Sequence, residues 1–202
     1  EFFDRSGMAT STRHIAMEMW PGGMPFGDPE NLAKMLFRFD NPPGKTEVSG
    51  SQDALGIMLP GINKLAYNCK DYWPEKITTE LDEDILSWLE SHLFLIPLWP
   101  RKMGYNVLQG TKLNKPNVKA LADAADGCWE AIMNRDLQRF ARYFNDSFNA
   151  QVNLFPRMIN NDVSEVIDIY RNRSLGCKLS GAGGGGYLIF VADNILEKGI
   201  RI

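Results

Sequence analysis

The chain has 202 residues, of which 44% are hydrophobic and 11% aromatic, enough for one sizeable core or two small ones and inconsistent with collagen, coiled-coil or tail-like chains. Twenty-two basic residues against 25 acidic ones give a formal net charge of −3 with no run of Lys or Arg, which argues against nucleic acid as a partner. Apolar runs such as Leu93–Leu98 fall far short of the ~20 residues of a membrane helix, and Glu1–Arg13 lacks the basic-then-apolar order of a secretory signal, so no membrane partner is expected.

The chain opens at Glu1, which is not an initiator, and reads as lacking something upstream. Gly7-Met8-Ala9-Thr10-Ser11-Thr12 leads into a helix that Pro21-Gly22-Gly23 must end. Asp28-Pro29-Glu30 supplies a cap and a first-position proline for a second helix, with Leu32, Met35, Leu36 and Phe39 recurring until Asn41-Pro42 stops them. Ser49–Asp53 predicts a tight turn into a short helix over Ala54–Met58, and Pro60-Gly61 hands over to a strand at Ile62–Tyr67.

Glu75–Leu81 reads as a second strand, Asp82–Ser91 as a helix, and Leu93–Leu98 as a buried strand, because the run is too short for a helix. Two long helical patterns, Asn117–Met133 and Leu137–Phe155, share the short turn Asn134-Arg135-Asp136 and should lie antiparallel. Asp162–Arg173 is a further helix, and Cys177–Ser180 and Tyr187–Val191 are strands flanking a glycine loop. The order predicts an α+β fold, helices packed on one side of a mostly antiparallel sheet, divided into residues 1–73 and 74–202.

Cys69, Cys128 and Cys177 show no C-x-x-C spacing, which fits neither a disulfide framework nor a structural zinc site; a reducing cytoplasm is the simplest location. His14 and His92 stand alone and read as structural.

The most specific stretch is Lys178-Leu179-Ser180-Gly181-Ala182-Gly183-Gly184-Gly185-Gly186-Tyr187. Gly181, Gly183 and Gly186 satisfy G-x-G-x-x-G, but a strand follows where a dinucleotide fold needs a helix, and Tyr187 stands where a Walker loop needs lysine. A flexible linker is the plain alternative, disfavoured because the loop joins two short strands with little beyond them. Glycine is otherwise needed for positive φ and close backbone approach, and a loop rich in free N–H groups suits anionic oxygens. The Gly7–Thr12 segment, opening a helix, is a second candidate anion site, with simple capping as its alternative.

Ser6–Thr12 together with Lys178–Val191 resembles the GHMP kinase superfamily, whose loops read S-G-L-G-S-S-A and K-x-x-G-A-G-G-G-G. Gly50-Ser51-Gln52-Asp53-Ala54, followed by Pro60-Gly61-Ile62-Asn63-Lys64, is similar to the G-x-Q-D-Q…G-G-L-N segment of the heptose-phosphate and fucose kinases. The resemblance implies an ATP-binding half followed by a ferredoxin-like C-terminal domain. It also implies the C-terminal portion of a larger cytoplasmic kinase whose N-terminal half is required, since the family's first motif, P-G-R-x-x-L-x-G-E-H, is absent.

On this resemblance the cofactors are ATP and Mg²⁺, and the acceptor is a small-molecule sugar phosphorylated at its anomeric hydroxyl. Gly7, Met8, Ala9, Thr10, Ser11 and Thr12, with Gly181, Ala182, Gly183, Gly184 and Gly185, would hold the nucleotide. Ser11 and Asp40 would hold Mg²⁺, and Asp53 would orient or deprotonate the acceptor hydroxyl. Asp40 as a helix-end turn residue and Asp53 as a helix cap are the competing readings. Ala9 in place of a loop glycine, Arg13 and Ala54 depart from the pattern. A kinase of a homoserine- or mevalonate-like alcohol and a non-catalytic nucleotide-binding module are the alternatives.

Overall fold

The computed structural model describes residues 26–46, 48–68, 70–100, 104–181 and 183–201, which fall into two compact units, 26–86 and 87–201. In the first, helix α1 (Pro29–Asp40) starts where capping chemistry requires: Asp28 accepts the Asn31 N–H at 2.9 Å with Pro29 behind it. Its buried stripe is not the expected one. Ala33 and Leu36 are buried, while Met35 and Phe39 are 52% and 66% exposed. The stripe is turned toward Phe37 because Trp73 meets that ring edge-on at 5.9 Å. Glu30 fixes this contact by accepting the Trp73 indole N–H at 3.4 Å and pairing with Lys34 at 2.7 Å.

Helix α2 (Gln52–Met58) packs against α1 through Ala54 and Leu36, with Ile57 and Met58 beside them. Strands β1 (Ile62–Ala66) and β2 (Lys76–Glu80) pair antiparallel from Ile62↔Glu80 to Ala66↔Lys76. Both strands lie in the first unit. Helix α3 (Glu83–His92) is capped by Asp82, which accepts the N–H groups of Asp84 and Ile85 at 3.0 Å, and the boundary between the units falls within it.

The second unit contains β3 (Leu93–Pro97), α4 (Lys115–Met133), α5 (Leu137–Leu154), a 3₁₀ turn (Pro156–Met158), α6 (Asn161–Tyr170), β4 (Gly176–Leu179), β5 (Tyr187–Val191) and β6 (Ile200–Arg201). Its sheet runs β4-β5-β3-β6, every pair antiparallel. Phe94 opposite Phe190, Ile96 opposite Leu188, and Leu179 opposite Leu188 line one face of the sheet. They pack against Phe148 of α5 and Val163, Val166 and Tyr170 of α6. Burying each such side chain contributes about 1.5–3 kcal/mol.

At the end of the sheet order, β4 exposes one row of backbone groups, a template for unwanted pairing. Asn145 of α5 covers it: its amide accepts the Cys177 N–H at 2.9 Å and donates to the Leu175 carbonyl at 3.1 Å. Among the described residues, no helix is long and apolar enough to cross a membrane.

Candidate active site

The β4–β5 hairpin closes with Leu179 opposite Leu188 and the Ser180 N–H donating to the Tyr187 carbonyl at 2.9 Å. Gly183 and Gly184 take φ of +78° and +73°, and Gly183–Gly185 are buried, which disposes of the linker reading. A Cβ at 183 would come within 2.8 Å of the Met158 Cβ, and one at 184 within 2.9 Å of the Tyr105 ring. The glycines thus let the loop run against the 3₁₀ turn and the Tyr105 side chain. Its amides are partly spent there: Gly184 donates to the Met158 carbonyl at 2.7 Å and Gly186 to the Trp99 carbonyl at 3.3 Å. The reading of an amide-rich loop did not foresee these internal bonds. A strand follows the loop, as the argument against a dinucleotide fold required.

Beside the loop lies a cleft of about 680 Å³. Trp99, Tyr105, Gly184 and Gly185 line it together with Asn160, Asp162 and Glu165 at the start of α6. Two of its polar groups are fixed. Asn160 caps α6 by accepting the Val163 N–H at 2.9 Å and donates to the Gly184 carbonyl at 3.3 Å; the Tyr105 hydroxyl donates to the Arg157 carbonyl at 2.9 Å. Arg157 also stacks on the Tyr105 ring at 4.7 Å. Sequence reading missed this cleft, whose walls are assembled from segments separated by most of the second unit; the Trp99-Pro100 step after the buried strand was the available signal.

Asp40 and Asp53 share the first unit. Asp40 is the last residue of α1 and half-buried; Asp53 is exposed in the first turn of α2. Asn41 clamps the connection between these helix ends: its side chain accepts the Ser49 N–H at 2.7 Å and donates to the Ser49 and Phe37 carbonyls at 3.2 and 2.9 Å. Lys45 adds bonds to the Asp40 carbonyl at 2.6 Å and the Ser49 hydroxyl at 2.8 Å. The helix end that bears Asp40 is therefore tied to the segment leading into Asp53.

Gly7–Thr12, including the expected ligand Ser11, lies outside the described residues, as do His14, Cys69 and Ala182. Among the described residues no cluster of three or more His, Cys, Asp or Glu is placed to hold a metal. Magnesium in phosphoryl transfer is usually held by one or two carboxylates and the phosphates themselves, so a single carboxylate such as Asp40 is a compatible protein donor.

Lys178, the lysine of the glycine motif, is directed at α5, where it donates to the buried Ser147 hydroxyl at 2.7 Å. Burial holds its pKa below the usual lysine range, and burial likewise pushes the Cys128 and Cys177 thiols up to about 11. His92 is structural, as expected, with Nδ1 2.7 Å from the Trp88 carbonyl and 2.9 Å from the Ser91 hydroxyl.

The fold is similar to that of two solved kinases, over about half the length of each. A candidate sugar kinase of Campylobacter jejuni superposes with a TM-score of 0.55 at 21% identity, covering 93% of this chain and 52% of that one. The mevalonate kinase of Methanococcus jannaschii gives 0.53 at 18% identity, covering 83% and 50%. A bifunctional fucokinase/GDP-fucose pyrophosphorylase of Arabidopsis thaliana is 24% identical over 174 residues, 82% of this chain and 16% of that protein. No protein-family model matches the chain.

Proposed function

We propose that the chain is part of an ATP-dependent kinase that phosphorylates a sugar at its anomeric hydroxyl. The observation that carries this reading is the β4–β5 hairpin, whose glycine loop is packed into the body of the second unit rather than left as a tether. The Gln52-Asp53 segment and the identity with a protein that includes a fucokinase favour sugar over other alcohols. The chain spans about half the length of the two kinase structures, so an N-terminal half would complete the nucleotide pocket.

Bound ATP supplies the γ-phosphoryl group, and the protein's part is positioning and charge stabilisation. The acceptor oxygen bonds to the γ-phosphorus as the bond to the β–γ bridging oxygen breaks, and Asp53 takes the hydroxyl proton. Asp40 would serve the Mg²⁺ that accompanies the nucleotide.

The test uses the full-length protein with Mg·ATP and a panel of reducing sugars, following ADP release and the ³¹P signal of a sugar 1-phosphate. Asp53→Asn should lower kcat by a factor of about 10² or more, the usual worth of a proton-transfer group, and leave the KM for ATP within about threefold. A variant with unchanged turnover removes Asp53 from the mechanism. Turnover with homoserine or mevalonate but no sugar replaces the acceptor, and no ATP-dependent phosphorylation of any alcohol ends the kinase reading.

A further inference from the structure

Asn160 joins α6 to the glycine loop, and it uses both ends of its amide to do so. The Val163 N–H is a donor, so the atom it meets at 2.9 Å is the side-chain oxygen, which leaves the NH₂ group for the Gly184 carbonyl at 3.3 Å. Capping the helix requires the oxygen alone. An aspartate in this place would cap as well and would offer the carbonyl no hydrogen.

The second bond sets the direction of a loop peptide. The Met158 carbonyl accepts the Gly184 N–H at 2.7 Å, so the stretch from Met158 to Asn160 holds Gly184 by both of its backbone polar groups. No cis peptide bond occurs among the described residues, and in a trans peptide the carbonyl and the next N–H point to opposite sides. With its carbonyl held at Asn160, the Gly184–Gly185 peptide therefore turns the Gly185 N–H away from that side chain. Glycines at φ +73° and +156° flank this peptide, and with no Cβ on either side little in the local backbone resists its rotation.

The Gly184 and Gly186 amides bond to the Met158 and Trp99 carbonyls. Between them, the N–H of the buried Gly185 has no acceptor among the described residues. A buried N–H without a partner is costly unless a ligand brings the acceptor, and a phosphate oxygen is a strong one. We propose that Asn160 is a positioning residue of the nucleotide site: it fixes the Gly184–Gly185 peptide so that the Gly185 N–H is presented to a phosphate oxygen. The proposal rests on the kinase reading for the identity of the ligand, and adds a side chain outside the glycine motif on which the loop depends.

The test compares Asn160→Asp, Asn160→Ser and Asn160→Ala in the full-length protein by thermal melting, by calorimetric titration with a non-hydrolysable Mg·ATP analogue, and by kcat/KM for ATP. Asp and Ser keep the helix cap, so both variants should melt within about 2 °C of the wild type, while Ala loses it and should melt about 2–4 °C lower. Analogue affinity and kcat/KM should nevertheless fall about tenfold or more in the Asp and Ser variants, the effect of one misdirected charge-assisted hydrogen bond. Capping alone would instead leave the Asp variant like the wild type and make Ala the damaged one.

Unchanged affinity and kcat/KM in the Asp and Ser variants, or losses confined to the Ala variant, overturn the proposal. The two readings fail separately. Analogue affinity lowered in the Asp and Ser variants, with no phosphorylation of any alcohol by the wild type, keeps the role of Asn160 and removes the kinase; phosphorylation by the wild type, with both variants unchanged, keeps the kinase and removes the role of Asn160.

Discussion

Ser51 stands at the N-cap position of α2, yet its side chain makes no cap bond and the residue is fully buried. Its hydroxyl donates to the Tyr72 carbonyl and lies 2.9 Å from the Tyr67 hydroxyl, tying the start of α2, and with it Asp53, to the segment after β1. Both partners lie well downstream in sequence, which is why the residue pattern could not reveal them. Ser51→Ala leaves the Tyr72 carbonyl without this donor and should cost about 1–3 kcal/mol, read as a lower urea midpoint. The exposed neighbour Gln52→Ala should stay within about 0.5 kcal/mol. Equal effects at the two positions would mean that the buried hydroxyl does not anchor the helix.

Elements whose signals are local were legible. Helix α1 follows from Asp28-Pro29, and the α4–α5 pair follows from long periodic segments, α4 capped by Asn114 and α5 by Asp136, each accepting an N–H at 3.0 Å. What periodicity could not give is the choice among neighbouring faces, decided by partners far along the chain, as Trp73 decides for α1. The same holds for the site: the glycine loop is plain in the sequence, but the internal use of the Gly184 amide depends on where Met158 falls.

Two helical glycines separate local from tertiary control. At Gly56 in α2 an added Cβ meets nothing within 4 Å, so Gly56→Ala should gain up to ~1 kcal/mol of helix propensity. At Gly127 in α4 the same methyl would overlap the Tyr143 ring from its root outward, where Arg142 stacks at 4.5 Å. Overpacking of this kind costs about 1–3 kcal/mol and outweighs propensity. Thermal melts should therefore move up for Gly56→Ala and down for Gly127→Ala; two upward shifts would show that α4 and α5 are not closely packed there.

For the molecule as a whole, buried ionisable groups set a pH dependence that net charge does not reveal. Cys128 and Cys177 have folded pKa values raised from 9.0 to about 11 by burial. An acid whose pKa is raised on folding stabilises the native state below its unfolded pKa, and that stability is lost as pH climbs toward the folded value. By pH 10 each thiol should have lost ~1 kcal/mol after allowance for partial solvent screening. Lys178 opposes this trend: its folded pKa is depressed below 10.5, so the unfolded chain binds more protons in that interval and stability there rises with pH. A variant that lacks both thiols keeps Lys178, so its comparison with the wild type reads the thiol contribution. Urea titrations at pH 8 and pH 10 should show the wild type losing ~2 kcal/mol more than a Cys128→Ala/Cys177→Ala variant over that span. Parallel losses in the two proteins would place both thiols in water rather than between α4, α5 and the sheet.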